Sequence, residues 1–552
     1  MMKVMKQVFY ILIVFLLAAC YDDKGNYDYE EINTITVHLD DVYSYRLDGD
    51  TTVCIIPELS QSLQKNKDNL EFMWLHSVIN EFIEGHGNCD TISRIDTLRF
   101  HIVPDDPDLE YEHYFRLNVY DKLTEINYPF NVRIKLVKPY DGAWMILHNE
   151  NGHAALGAVE YMGNSILKTQ DAYYKETGKH LEGMAQCLGN YITYYYPYGR
   201  GEMFNLFSVI TDKPEESGVM CQWKKFELMS SLTKMVYSSD QSRFNYSNVK
   251  LIDGEASWGA VCLSDGVLFQ SPAAMKLYKA NIATDLGDNI RIKYASKAGF
   301  GTMLYDEVGH RFCFYQNQSR STTGDPNRFN PTDENPSNYR INPVPKRENN
   351  MTDVDVNNLP VDQKVLWVGA GYEFDPNNSR GFYANSVSIK GQDSCFVYEF
   401  NMDGMVSTVD GHPAFAGYYK LKLPEGMDEN SRFASTMSYS GILFYTVGNV
   451  VYRLDFKQSG GKATPVYTHS GGKVTMMKFA KKAKINTSYL DFTNYEFDPN
   501  RSLGIVFDMG NGKCDFVVLN LSVTGGIGTD SENYPATQVY TDFGDVKDIL
   551  FL

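Results

Sequence analysis

The stretch YEFDPNNSRGFYA, Tyr372 to Ala384, returns later in the chain as YEFDPNRSLGIVF, Tyr495 to Phe507. Each copy reads as a strand, an Asp-Pro-Asn turn and a second strand, because Asp and Asn close such turns and Pro fixes φ there. YDEVGHRFCFY (Tyr305 to Tyr315) is a third version, and YSGILFYTVG (Tyr439 to Gly448) is a fourth with a shorter turn. Looser copies begin at His148 (HNENGHAALGAV), Tyr196 (YPYGRGEMFNLFSV) and Leu263 (LSDGVLFQS). Seven hairpins therefore recur at intervals of 42 to 67 residues, near the length of a four-stranded propeller blade. The pattern predicts a β-propeller over 139–552 with seven blades; because three copies are loose, six or eight also fit. The last run, DVKDILFL from Asp545, is expected to pair with the first blade and close the ring, which removes an exposed sheet edge. Two stretches interrupt the repeat. Residues 165–185 read as a locally helical insertion, and 317–363, rich in Asn and Pro, as a long exposed loop.

Ahead of the propeller, residues 34–138 alternate apolar and polar in short runs such as TITVHL, LEFMWLHSV, EHYFRLNVYD and FNVRIKLVK. This spacing predicts an all-β, Ig-type sandwich, with Trp74 buried between its sheets.

The start of the chain carries an address. Lys3 and Lys6 precede an apolar run, Phe9 to Leu17, too short for a permanent span, which needs about 20 residues. Small residues then meet a cysteine at Leu17-Ala18-Ala19-Cys20. This resembles the lipobox of bacterial lipoproteins, which implies a signal peptide over 1–19 and a lipid on Cys20, the first residue of the mature chain. An ordinary secretory signal with a chance cysteine is the alternative. Residues 20–33 would then be a lipidated tether. Asp22-Asp23 resembles the acidic export tag of surface lipoproteins in anaerobic gut bacteria, which implies an outer-membrane protein facing outward. The opening CYDDKGNYDYEEINTITV, the strand layout behind it and YFRLNVYD (Tyr114 to Asp121) together resemble the PKD-like family of surface lipoproteins. The resemblance implies company with SusC/SusD-type importers, in which a TonB-dependent barrel takes up captured peptides or glycans.

Composition narrows the classes. A formal net charge of −18 would repel nucleic acid phosphates and disfavours anionic glycans, so peptides or neutral glycans are the expected ligands. The 39 Tyr suit strands and ligand platforms alike. Nine Cys are scattered without a C-x-x-C pair, and structural zinc needs clustered ligands; a Cys54–Cys89 bridge is conceivable.

Chemistry-bearing motifs are weak. His148 and His153 flank Glu150 across a hairpin, not on the one helical face that a metalloprotease needs. Asp353, Asp355 and Asn357 lack the Gly and terminal acid of an EF-hand. Asp105, Asp106 and Asp108 read as a turn, and GRGEMF (Gly199 to Phe204) as a hairpin turn. No G-x-S-x-G or phosphate-cradling loop occurs, and no pair stands out among 69 acids. No catalytic residue, metal or cofactor is expected. The densest aromatic run, YITYYYPYGRG, holds Tyr191, Tyr194, Tyr195, Tyr196 and Tyr198. It serves either as blade packing or as a ligand platform.

The expectation is a non-enzymatic surface lipoprotein that captures nutrient for an importer. The rivals are a hydrolase, which would gather two or three carboxylates at the central channel, and a purely architectural subunit.

Overall fold

The computed structural model describes residues 32–48, 51–78, 89–103, 112–162, 165–195, 202–252, 260–271, 278–279, 281–282, 286–287, 289–298, 301–316, 340–374, 381–406, 412–480, 498–531 and 534–552. The chain divides into two compact units, Met1–Leu136 and Val137–Leu552.

The first unit is all-β. A five-stranded sheet runs in the order Val42–Arg46, Ile126–Val137, Glu112–Asp121, Leu70–Ser77, Asp90–Ser93. Two ribbons accompany it, Ile35–His38 with Glu58–Gln61 and Thr51–Ile55 with Leu98–Ile102. The strand Glu112–Asp121 alternates strictly between buried and half-buried positions, the signature of a sheet with one face on a core. That core closes on Trp74, Phe115, Leu117, Leu98 and Val53, each fully buried. The Trp74 indole Nε1 donates to the Asp96 carbonyl at 3.2 Å, so its one polar atom is satisfied.

The second unit holds, among the described residues, seven separate sheets, antiparallel except where the short outermost strand Asn281–Ile282 of the fourth pairs in parallel with Arg340–Pro343. Blade 5 shows the plan. From the inside outward its strands are Gln363–Phe374, Gly381–Lys390, Ser394–Asn401 and Phe415–Lys422. The third strand is buried at seven successive positions, because neighbouring blades cover both faces of a central strand. Phe312 of blade 4 packs on Tyr398 and Phe400 of blade 5, at ring separations of 5.2 and 4.9 Å. Blade 1 differs in origin. Ala143–Glu150, His153–Met162 and Ser165–Thr169 are its outer three strands, and the innermost is Asp545–Phe551. Trp144 pairs with Phe551 and Ile146 with Ile549; the Leu552 N–H donates to the Ala143 carbonyl at 2.9 Å. The ring closes as the sequence suggested, and the blade count is seven.

Two stretches need correction. Residues 165–185 are not a helical insertion throughout. Ser165–Thr169 is the outer strand of blade 1, paired with His153–Met162; only Ala172–Thr177 is helical, capped by Asp171 and ended by Gly178 at φ 70°. Pairing to an open edge decides the fate of a segment whose local preference is neutral. Nor is 317–363 one exposed loop. Residues 317–339 lie outside the described ones, Arg340–Pro343 is a strand of blade 4, and Val344, Val356 and Leu359 are buried in a core cluster.

Candidate functional site: the central channel

All seven blades send their inner strand to a central cavity of about 240 Å³. Blade 5 contributes the most. A bulge between Val365 and Trp367 turns the Trp367 indole back along its own strand, where it lies across Gly369. A Cβ at Gly369 would sit 1.7 Å from the ring, so only glycine admits this pose. The Ser386 hydroxyl donates to the Trp367 carbonyl at 2.7 Å and pins the backbone beneath. Phe433 of blade 6 stacks beside the indole, with centroids 6.1 Å apart at 29°. Phe479, Met477, Ile252 and Leu550 extend the apolar wall.

Asn190, Ser296, Ser435 and Lys478 are the polar side chains of the described lining. Lys478 Nζ meets Asp548 Oδ1 at 2.6 Å. That carboxylate also accepts from the Leu188 N–H at 2.9 Å and from the Ile549 N–H at 2.8 Å, so the lysine is neutralised in place. The Ser435 hydroxyl donates to the Ala370 carbonyl. Asn190 of blade 2 lines the cavity, and its Oδ1 is buried with no hydrogen-bond partner. No carboxylate belongs to the described lining.

Four strands of alternating direction bring each inner strand back to the same face of the ring. Connections from first to second and from third to fourth strand therefore share one face. Tyr194 and Tyr195 end the inner strand of blade 2, Ala185–Tyr195, which pairs with Glu202–Thr211. Gln316 and Arg340 end the third strand of blade 4 and begin its fourth. Both ends emerge on that shared face. Tyr196 and Tyr198 lie outside the described residues, as do Cys20 and the acids Asp105, Asp106 and Asp108.

The other motifs resolve into scaffolding. His148 is fully buried in blade 1. Its Nδ1 accepts from the Gly544 N–H at 3.1 Å, which leaves Nε2–H to donate to the Gln170 carbonyl at 3.1 Å. Burial pushes its pKa below the usual 6.5, against the pull of Gln170 and Glu150. His153 Nδ1 sits 3.0 Å from the Ala154 carbonyl, so the pair does not converge. Asn357 brackets Val344 through two hydrogen bonds, 2.9 and 3.0 Å. Among the described residues no group of three or more His, Cys, Asp and Glu is placed to hold a metal. Cys54 is exposed and free, so it forms no bridge to Cys89. Burial pushes the Cys395 thiol up to about 12 and that of Cys221 up to about 11, which keeps both inert. No described helix is long and apolar enough to cross a membrane.

Sequence reasoning missed the channel residues. One signal was legible: VLWVGAG places two glycines within a strand, and glycine there often marks a close approach.

The sheets and their closure define a seven-bladed β-propeller following an Ig-type sandwich. Residues 20–184 match the model of the PKD-like family, a span that takes in the sandwich and the first strands of blade 1. No curated protein matches the chain. Solved structures overlap loosely. A quinonprotein alcohol dehydrogenase-like protein from Bacteroides thetaiotaomicron is 11% identical, with 92% of this chain and 96% of that one covered, at a TM-score of 0.38. Apo AztD from Citrobacter koseri is 10% identical, with 88% and 98% covered, at 0.34. Overlaps this loose carry no argument, and the blade count rests on the chain's own sheets.

Proposed function

We propose that the protein is an outward-facing, lipid-anchored accessory protein of the outer membrane, which captures a nutrient for a SusC/SusD-type importer without transforming it. The observation that carries this reading is the channel: seven inner strands meet at a cavity whose described lining holds no carboxylate and whose lysine is neutralised by Asp548. Glycoside hydrolysis needs two carboxyl groups flanking the scissile bond, and this lining supports binding instead. The lipobox at Leu17 to Cys20 supports the anchor, and two or more acyl chains hold a protein stably at a membrane. Tethering then raises the local concentration of captured ligand beside the importer.

The test is made in cells. With Cys20→Ala, lipidation should be lost and the chain should leave the outer-membrane fraction. Protease added to intact wild-type cells should digest the protein, and a SusC/SusD-type pair should co-purify with it. Survival under the protease, or purification without such a pair, overturns the reading.

A further inference from the structure

We propose that blade 1 carries a two-histidine site for a divalent metal of the zinc and copper class, with His153 and His180 as its protein ligands and Asp171 as the positioning residue behind them. The site is separate from the channel and goes beyond the capture reading.

Backbone pairing brings the two histidines together. His153 opens the third strand of blade 1, His153–Met162, and His180 follows the helix Ala172–Thr177. The residues just after them, Ala154 and Leu181, form a β-bridge. The Ala154 N–H also donates to the Gly183 carbonyl at 2.7 Å, and Leu181 is buried. The imidazoles lie with centroids 4.1 Å apart and planes at 31°. Tyr174 stacks on the His180 ring at 4.5 Å and 14°, which restrains its rotation.

Each ring has its tautomer set at Nδ1. That nitrogen of His153 is 3.0 Å from the Ala154 carbonyl oxygen, and that of His180 is 3.3 Å from Asp171 Oδ2. A carbonyl and a carboxylate only accept, so both Nδ1 atoms carry the hydrogen and both Nε2 atoms keep a lone pair. Among the described residues neither Nε2 has a hydrogen-bond partner. An oxygen acceptor on one imidazole nitrogen, with the other nitrogen free, is how proteins orient histidine toward a metal. Asp171 is itself fixed: its Oδ1 accepts from the Tyr174 N–H at 3.0 Å and the Leu156 N–H at 3.5 Å, which leaves Oδ2 to His180. The His180 side chain is half exposed, so an ion can reach the pair from solvent. His148 cannot serve, because Gly544 and Gln170 occupy both its nitrogens.

Ligand type then selects the metal. Neutral imidazole suits zinc, copper and nickel, whereas magnesium and calcium take oxygen. No third His, Cys, Asp or Glu among the described residues joins the pair. Zinc is ordinarily four-coordinate, so the remaining positions fall to water or to a donor atom of a captured molecule. The ion is therefore exchangeable, unlike a closed structural zinc.

Titration calorimetry of the purified full chain with zinc chloride, and X-ray absorption at the zinc edge of the loaded chain, test the site. One zinc per chain should bind, with imidazole nitrogens at about 2.0–2.1 Å and no sulfur at about 2.3 Å. His153→Gln and His180→Gln should each weaken binding by about tenfold or more. Asp171→Asn preserves a capping side chain for the helix; it should weaken zinc by about tenfold while the melting temperature of the metal-free chain stays put, which separates positioning from a structural role. His38→Gln, at an exposed histidine of the sandwich, should change nothing. The absorption spectrum of unmodified protein decides even where a variant fails to fold. No zinc binding, sulfur in the zinc shell, or a loss as large from His38→Gln overturns the proposal; full affinity in Asp171→Asn overturns the positioning role.

Discussion

Blade 5 and blade 1 have the same four-stranded plan and different origins. Blade 5 is cut from one continuous stretch, Gln363 to Lys422, whereas blade 1 joins three strands from 143–169 to an inner strand from Asp545–Phe551. Within blade 5 every strand pairs with a sequence neighbour across a short connection or a small helix. Blade 1 instead depends on a contact closed across some four hundred residues of chain. The difference teaches where the ring is vulnerable. Six sheets are local products, and the seventh is a seam on which their mutual packing depends.

The largest effect should come from opening that seam. Deletion of Asp545 to Leu552 removes Val546, Ile549, Leu550, Phe551 and Leu552, all buried. At roughly 1.5–3 kcal/mol per buried side chain, the loss is on the order of the whole net stability of a domain, about 5–15 kcal/mol. The truncated chain should yield no cooperative thermal transition for the propeller by calorimetry. A normal transition would show that the seam is dispensable and the comparison empty.

A milder break lies one residue inside the seam. Trp144 is fully buried, edge-on to Phe516 and Phe551 at 5.5 and 5.4 Å. Trp144→Ala should cost about 3–5 kcal/mol in chemical denaturation. A cost below about 1 kcal/mol would mean that blade 7 and blade 1 do not meet tightly there.

The smallest effect concerns pH and sharpens the contrast. His148 holds the seam by accepting from Gly544, and burial lowers its pKa below 6.5. A histidine depressed in the folded state is neutral in both states above pH 6.5, so its contribution is complete there. Below 6.5 the unfolded chain binds the proton first, and stability falls as the pH drops through the folded value. The neighbours Glu150 and Asp171 oppose the depression and Lys513 reinforces it. The melting temperature should therefore decline below pH 6.5, and His148→Asn should flatten that part of the profile. An unchanged profile would remove His148 from the seam.

Much of this was legible in the sequence, and the reasons are physical. Hairpins announce themselves through turn residues, so the seven anchors each fell in a different blade. Their phase was not legible. The copies that begin at Tyr196, Tyr372 and Tyr495 run into second strands, Glu202–Thr211, Gly381–Lys390 and Ser502–Gly510, whereas those at His148, Leu263 and Tyr305 lead from second to third. A turn motif reports two strands and a reversal, not their distance from the ring's axis. The burial of Trp74 followed from alternation within one sheet. The cavity was less accessible, because Asn190, Trp367 and Phe433 come from three blades and become neighbours only when the ring closes. Ser165–Thr169 escaped for a similar reason: an outer strand with a mostly exposed pattern carries little signal apart from its partner.

The late position of the closing strand has a consequence in time. Everything that the sandwich needs has left the ribosome by Leu136, and domains generally fold in order of synthesis. The ring must wait until residue 551 has been added, since blade 1 lacks its inner strand before then. Through most of translation, the outer three strands of blade 1 present an unpaired edge at Ala143–Glu150, the kind of edge that recruits foreign strands. A chain built this way leaves its larger unit unfinished until the strand Asp545–Phe551 is made, so that unit completes its fold only after almost all of it has been synthesised.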